Sequence, residues 1–296
     1  MQNVKIQHYV PRFYLKNFSR SKGKNYFINC FDKSDFKQFP VNITKIGCEK
    51  HFYEMDNETP QLVERAVSKF EAKFSDVYEK LVSKKNLAYL NLKEKVILAI
   101  FIVTQEIRTR EMRERIRDIV KKLNDWLSNK PLSKDLEKQL KEIGTEEKIR
   151  SVHSSFLLET ILGKNELVEM LLSLKWCLYI NNTEMSFWTS DHPINRFNPF
   201  DLSPYGNLGL LSKGIQISFP LTPRLGIAFC DPVEYCLNPE KSFCIEDNVL
   251  FYNTLQVRSS ARHIFSVDND FSIARKWLNE NPDFKNFNRD RISTNP

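Results

Sequence analysis

The 296-residue chain contains few glycines and none of the common glycine-built nucleotide motifs. Only 8 glycines occur, and the sequence has no G-x-x-x-x-G-K-[ST], G-x-G-x-x-G, G-x-S-x-G or H-E-x-x-H pattern. These absences argue against a Walker-type phosphate cradle, a Rossmann site, a nucleophile elbow and a zincin helix. Any phosphate-binding site must therefore be made from side chains.

Long apolar runs are also missing. The longest, VILAIFIV at 96–103, is far shorter than the roughly 20 residues that span a bilayer. No basic patch followed by an apolar run opens the chain. Six scattered cysteines fit free thiols in a reducing compartment better than a disulfide framework. We therefore expect a cytoplasmic protein with no membrane association.

Metal-site spacing is weak in this sequence. Cys48 and His51 form a C-x-x-H pair, but no second pair at zinc-site spacing follows. A buried free thiol explains Cys48 more simply, so no metal site is assigned, and the sequence leaves the cofactor and any metal dependence open.

The chain is basic, with 44 Lys and Arg against 37 Asp and Glu, a net charge of +7 and a pI near 9.0. This balance favours anionic partners, such as nucleic acid or a nucleotide.

Hydrophobic periodicity predicts a single α+β domain over residues 1–296, with a helical block at about 59–173 between sheet-forming parts. Thr59 and Pro60 resemble the cap and first position of a helix. A second long helix is predicted from Leu92 to Asn124, and further helices at 133–143 and 146–173.

The C-terminal part contains short segments that are typical of strands, including KWCLYINN, SFWTS, IQISFP and LGIAFCD. Helical spacing returns over residues 245–266 and again at 268–280, and a polar, loose tail is expected after them. The late helix would carry Asn253, Gln256, Ser260 and His263 on one face. Asn253 and Arg262 are candidate ligand contacts, and a structural polar network is the alternative.

Two segments concentrate groups that could do chemistry. In TQEIRTR, Gln105 and Arg108 continue the stripe of a buried helix, where a guanidinium needs an anionic ligand or a structural partner. The following run, RTREMRERIRDIVKK, is interpreted as a solvated helix face with paired charges. In FWTSDHPINRFNP, Ser190 and Asp191 follow a strand, and they could bind a ligand or only end the strand.

His8 and His192 together suggest a metal-independent ribonuclease site, with Arg108 as the anion clamp. The alternative for each histidine is a structural role.

The segments HYVPRFYLKNF, TQEIRTR, FWTSDHPI, ISFPLTPRLGIAF and NTLQVRSSARHIFS, in this order, resemble the bacterial domain-of-unknown-function 4238 family. The resemblance implies a single cytoplasmic domain and no assigned reaction. It places His8, Tyr9, Pro11, Gln105, Arg108, Ser190, Asp191 and Asn253 on motif positions. The position of His192 often carries asparagine in that pattern. The resemblance therefore argues against a mechanism with two histidines and favours His8 together with Asp191 and Arg108.

The leading expectation is a phosphate-directed enzyme, such as a nuclease of toxin or defence type. His8, Arg108 and Asp191 would be catalytic, and the substrate-binding residues would be Tyr9, Gln105, Ser190, Asn253 and Arg262. The alternatives are a non-catalytic sensor or binding module for a small anionic ligand or protein partner, and an internal polar network that only stabilises the fold.

Overall fold

The computed structural model describes residues 5–53, 61–128, 130–131, 133–163, 166–201 and 206–291. Within these ranges the helices are α1 (Arg12–Lys16), α2 (Leu62–Lys84), α3 (Leu92–Ile107), α4 (Arg110–Ser128), α5 (Lys134–Ile143), α6 (Glu146–Ile161), α7 (Glu166–Ser173), α8 (Glu246–Ser259) and α9 (Ser272–Glu280). The strands are β1 (Ile6–His8), β2 (Arg20–Lys22), β3 (Asn25–Asp32), β4 (Gln38–Asn42), β5 (Cys48–Lys50), β6 (Lys175–Asn181), β7 (Thr189–Ser190), β8 (Asn195–Phe197), β9 (Gln216–Thr222), β10 (Leu225–Cys230), β11 (Lys241–Cys244) and β12 (His263–Ser266).

The α+β class and the central helical block are confirmed. Helices α2 to α7 lie between two sheet-forming parts of the chain. The proposed Thr59 cap and Pro60 lie outside the described residues, and α2 begins at Leu62.

The strands form one small and two five-stranded sheets. Strands β1 and β5 pair with Ile6 opposite Lys50. One larger sheet has the order β11-β6-β10-β9-β8, and in the other β12 lies between β3 and β7. Because β3 comes from the N-terminal part and β12 and β7 from the C-terminal part, this second sheet joins the two ends of the fold.

The aromatic N-terminal motif lies in the largest hydrophobic core. Tyr14 and Phe18 are fully buried, and the Tyr14 ring stacks on Phe219 of β9 at 4.9 Å. The Tyr14 hydroxyl lies 2.6 Å from Thr189 Oγ1 and donates to the Pro220 carbonyl at 2.8 Å. The motif therefore connects the start of the chain to both larger sheets.

The predicted helix from Leu92 to Asn124 is wrong in one respect, because it is two helices. Helix α3 ends at Ile107, and Thr109 starts α4 by accepting a hydrogen bond from the Met112 N–H at 3.4 Å. The predicted helix at 146–173 is likewise divided into α6 and α7.

The predicted helix over 245–266 is also too long. Helix α8 ends at Ser259, and His263 begins β12, where it pairs with Asp32. His263 therefore does not share a helix face with Asn253 and Gln256.

Candidate functional site

Asp191 is held at the turn between α8 and β12 by three backbone N–H groups. Its Oδ1 accepts from Ala261, and its Oδ2 accepts from Arg262 and His263, each at 2.8 Å. The carboxylate is buried. It accepts from donors of the turn that follows the C-terminal end of α8, which favours a structural role that the sequence pattern did not distinguish from catalysis.

Ser190 and Asn253 belong to a buried polar network around residues 186–193. Ser190 Oγ donates to Gln256 Oε1 at 2.6 Å. Asn253 accepts from the Trp188 N–H at 2.8 Å and donates to the Ser186 carbonyl at 2.9 Å. These contacts favour the structural alternative for both residues.

Arg108 is fully buried at the end of α3, and its donors face protein groups. Nη1 donates to Glu71 Oε1 at 2.6 Å, Nε donates to the Tyr53 hydroxyl at 3.1 Å, and Nη2 donates to the His8 carbonyl. The burial and these three partners favour the structural alternative over an anion clamp. Nearby, Gln105 Nε2 donates to the Tyr9 carbonyl at 3.0 Å.

His8 is half-buried in β1. Burial lowers the pKa of its imidazole to about 4, and the positive charges of Arg12 and Arg108 act in the same direction. Its Nε2 is buried and has no hydrogen-bond partner among the described residues. A neutral His8 is therefore expected at physiological pH.

A first cleft, of about 340 Å³, contains three of the predicted residues. We call it the Asp191 cleft; its lining includes Tyr9, Arg110, Asp191, Arg262 and His263. Of the described residues, neither His8 nor Arg108 belongs to that lining. The structure thus brings Asp191, Tyr9 and Arg262 to one cavity and places the other two proposed catalytic side chains outside it.

The guanidinium groups of the Asp191 cleft already have carboxylate partners. Arg110 donates to Glu49 at 2.8 Å, and Arg262 contacts Asp32 Oδ2 at 2.6 Å. These pairs reduce the positive charge that the cleft offers to an anion.

A second cleft, of about 320 Å³, lies between α4, the segment that contains His192, and residues 284–291. We call it the arginine cleft, because five arginines and three carboxylates line it: Arg115, Arg196, Arg258, Arg289, Arg291, Glu106, Glu111 and Asp290. The lining therefore carries two positive charges more than negative ones. An anion would compensate this excess.

Glu111 is shared by three guanidinium groups. It is almost fully buried, and it lies 3.6 Å from Arg115 Nε, 3.3 Å from Arg289 Nη2 and 3.0 Å from Arg291 Nε. One carboxylate cannot neutralise three guanidinium groups. The sequence interpretation of this run as a solvated face is wrong for Glu111 and Glu114, since both are buried. Paired charges do form in the run, between Glu111 and Arg115 and between Glu114 and Arg117.

Arg289 and Arg258 retain free donors at this cleft. The Arg289 side chain is 8% exposed, yet its Nη1 is buried without a hydrogen-bond partner among the described residues. Arg258 is exposed, and within the described ranges it forms no ion pair. By contrast, Arg196 is neutralised by a bidentate ion pair with Glu106, in which Nε donates to Oε1 and Nη2 donates to Oε2, each at 2.7 Å.

His192 lines the arginine cleft and is buried. Its Nδ1 lies 2.7 Å from Thr109 Oγ1. Burial holds the pKa of His192 well below its usual range, and the charges of Arg115, Arg196 and Arg289 lower it further. The neutral imidazole is therefore the form present near pH 7.

The prediction of a loose C-terminal tail is wrong for residues 282–291. The Arg291 N–H donates to Asp118 Oδ2 of α4 at 3.0 Å, and Arg289 and Arg291 both contact Glu111. These two arginines are the site residues that sequence reasoning missed. Their only sequence signal is the basic spacing in FNRDRIS, which is also common in disordered tails.

The Cys48 and His51 pair gives no indication of a metal centre. Cys48 donates to the Thr44 carbonyl at 3.8 Å, and the described residues contain no cluster of three or more His, Cys, Asp and Glu side chains arranged to hold an ion. None of the helices in the described ranges is long and apolar enough to cross a membrane.

Comparison with known proteins gives a family and no reaction. A family profile matches residues 6–270, so it covers Glu111, His192 and Arg258 but not Arg289 and Arg291. No curated protein and no solved structure matches the chain. The match spans nearly the whole sequence, and the chain therefore belongs to the family described as Protein of unknown function (DUF4238).

Proposed function

We propose that the protein binds a phosphate-bearing ligand in the arginine cleft. The observation that carries this proposal is the single carboxylate of Glu111 shared by the guanidinium groups of Arg115, Arg289 and Arg291. Guanidinium groups match phosphate oxygens in geometry and charge. A bound phosphate would supply the negative charge that Glu111 alone does not provide to these three guanidinium groups.

The geometry around Arg289 supports the same ligand. Burying a guanidinium donor without a partner is costly, and Nη1 of Arg289 is such a donor. A phosphate oxygen would remove this cost once the guanidinium turned Nη1, which is covered in this structure, towards the cleft.

Catalysis on the phosphate ester is the second candidate function, and the tautomer of His192 favours it. We assign the one proton of Thr109 Oγ1 to the Glu106 carbonyl, which lies 3.1 Å away. With this assignment Oγ1 accepts from Nδ1–H of His192 across the 2.7 Å contact. Nε2 of the neutral ring then carries the lone pair. Beside a bound phosphate, this nitrogen would act as general base on an attacking water.

This proposal transfers the expected chemistry from His8, Arg108 and Asp191 to a different set of residues. The observed partners of Arg108 and Asp191 favour structural roles. His8 is bonded through its backbone carbonyl, and its Nε2 has no partner among the described residues. The proposal does not depend on these three residues. A nuclease or nucleotide hydrolase of toxin or defence type in the cytoplasm stays a prediction. So does the alternative of a sensor that binds without turnover.

The direct test is calorimetric titration of the full chain with inorganic phosphate and pyrophosphate at constant ionic strength. Saturable binding that weakens in Arg289→Gln supports the proposal, and the absence of binding to either anion contradicts it. The Arg20→Gln variant is the matched control, because it removes one charge at a surface position outside the cleft lining.

Turnover is tested by incubating the protein with labelled RNA, DNA and nucleotides, with and without divalent metal. Product formation that is lost in His192→Gln, while phosphate binding remains, supports the enzyme. Phosphate binding without turnover of any substrate favours the binding module.

A further inference from the structure

The lining of the arginine cleft combines charged and apolar groups. The charged groups leave two unbalanced positive charges, and the apolar lining residues are Met112, Ile194, Leu208 and Phe284. Of these, Ile194 is buried and Leu208 is exposed. A free inorganic anion would use only the charged groups, so the lining fits a molecule with an anionic head and an apolar or aromatic body.

The charge balance distinguishes the kinds of phosphate ester. A phosphate monoester carries close to two negative charges above its second pKa near 6, and a diester carries one. Glu106 neutralises Arg196. In the sum over the lining the charges of Asp290 and Arg258 cancel, although the 4.0 Å contact of Asp290 is with Lys122 and not with Arg258. The remaining excess of two charges lies around Glu111, on Arg115, Arg289 and Arg291.

We infer that the arginine cleft selects a phosphate monoester of an apolar or aromatic alcohol over the corresponding diester. The inference rests on the proposed function and goes beyond it by naming the ligand class. The dianionic head would lie against Arg115 and Arg289, and the organic group would contact Phe284 and its apolar neighbours. A nucleoside monophosphate and a chain end with a terminal phosphate both carry this head.

The C-terminal segment supplies part of this selectivity. Residues 284–291 contribute Phe284, Arg289 and Arg291 to the lining, and they lie beyond the part of the chain that matches the family. The guanidinium carbon of Arg289 also lies 5.4 Å from the centre of the Phe284 ring, so a charged and an apolar residue of the lining are adjacent here. In this inference the C-terminal segment determines part of the ligand preference, while the other residues of the lining fall within the part of the chain that matches the family.

The experiment compares phenyl phosphate with methyl phenyl phosphate by calorimetric titration at pH 8, where the first is a dianion and the second a monoanion. The expected result is that the monoester binds at least about tenfold more tightly, because its additional charge interacts with the guanidinium groups at short range. Equal binding of the two esters, or tighter binding of the diester, overturns the inference. If neither ester binds and inorganic phosphate does, the inference fails while the proposed function stands; if no phosphate compound binds, both fail.

Two variants test the assignment to this cleft. Arg258→Gln changes an exposed side chain on the cleft lining, so it is expected to fold normally and to lower the affinity for phenyl phosphate more than that for the diester. Arg289→Gln is expected to reduce the preference further, and its circular dichroism spectrum verifies folding. Arg20→Gln should leave the preference unchanged. A preference that survives both cleft variants places the monoester elsewhere and overturns the inference.

Discussion

Arg108 and Glu71 form an ion pair at 2.6 Å in which the arginine is buried and the carboxylate is about a quarter exposed. The pair joins the end of α3 to the middle of α2, and the same guanidinium also holds the His8 carbonyl of β1. One side chain therefore connects the helical block to the first strand.

We predict that Arg108→Gln destabilises the protein strongly. The change breaks a buried pair and removes the donor to the Tyr53 hydroxyl, and the His8 carbonyl keeps only the 3.2 Å bond from that hydroxyl. The free energy of unfolding is expected to fall by about 3 kcal/mol. Urea unfolding followed by circular dichroism measures this change, with the exposed Arg12→Gln as control. If Arg108→Gln keeps the stability of the parent and loses phosphate binding, Arg108 binds the anion and its structural assignment is incorrect.

Asp191→Asn should also lower stability. An asparagine amide offers one acceptor oxygen to the three N–H groups of Ala261, Arg262 and His263, and its own NH₂ group faces donors. The expected loss in unfolding free energy is about 3 kcal/mol, as for several hydrogen bonds to one charged acceptor.

Thermal and urea unfolding test this prediction, and Asp268→Asn provides the control because Asp268 is exposed in a 3.9 Å pair with Arg20. If Asp191→Asn is as stable as the parent and loses only turnover, Asp191 is catalytic and its structural assignment is incorrect.

The lowered pKa values of two buried histidines lead us to predict that the protein is less stable in mild acid than at neutral pH. Burial, followed by the charge of Arg113, lowers the pKa of His153 to about 3, and burial also holds the pKa of His192 well below its usual range. Below the unfolded pKa near 6.5 the unfolded chain takes up protons that the folded protein cannot accept, so stability falls with pH from 6.5 towards the folded values. Between pH 7.5 and 5.5 the two histidines together account for about 3 kcal/mol.

Urea unfolding at a series of pH values measures this slope. His153→Gln should make the slope shallower, because it removes one of the titrating groups. A variant with a core cavity, Val77→Ala, should lose stability and keep the full slope. A slope in His153→Gln equal to that of the parent would contradict the assignment.

Much of the fold follows from local patterns in the sequence. The apolar period and the Asn91 cap, which forms a capping box with Glu94, define α3. Alternating β-branched and aromatic residues mark most of the long strands. Aromatic side chains are mostly buried, and the aromatic start of the chain follows this rule, since Tyr14 and Phe18 are buried in the core.

The parts that sequence reasoning misses depend on partners far along the chain. Thr109 divides the long helix while bonding His192, and Glu111 is covered by a segment about 180 residues later. A helical period shows which side chains share a face, but not which distant segment covers that face. For the same reason the sequence does not decide whether Arg108 binds an anionic ligand or a structural partner, because its partners Tyr53 and Glu71 come from other parts of the chain.

Glu111→Gln should lower the melting temperature of the protein, and added phosphate should reverse part of this loss. The change removes the only carboxylate that contacts Arg115, Arg289 and Arg291 together within the described residues. Mutual repulsion of the three guanidinium groups is then expected to lower the melting temperature, and a bound phosphate would restore the missing charge. Stabilisation by a ligand grows with its concentration relative to Kd, so phosphate should raise the melting temperature of Glu111→Gln more than that of the parent.

Differential scanning fluorimetry with phosphate on the order of 10 mM, and with sodium chloride at matched ionic strength, measures the difference. The control is Glu94→Gln, which loses the charge of a 2.8 Å contact with Lys80, keeps an oxygen for the Asn91 N–H and lies outside the lining of the cleft. It should melt earlier than the parent and gain no more from phosphate than the parent does. Equal phosphate shifts in Glu111→Gln and Glu94→Gln would mean that phosphate acts as a general salt, and the arginine cleft would then not be its site.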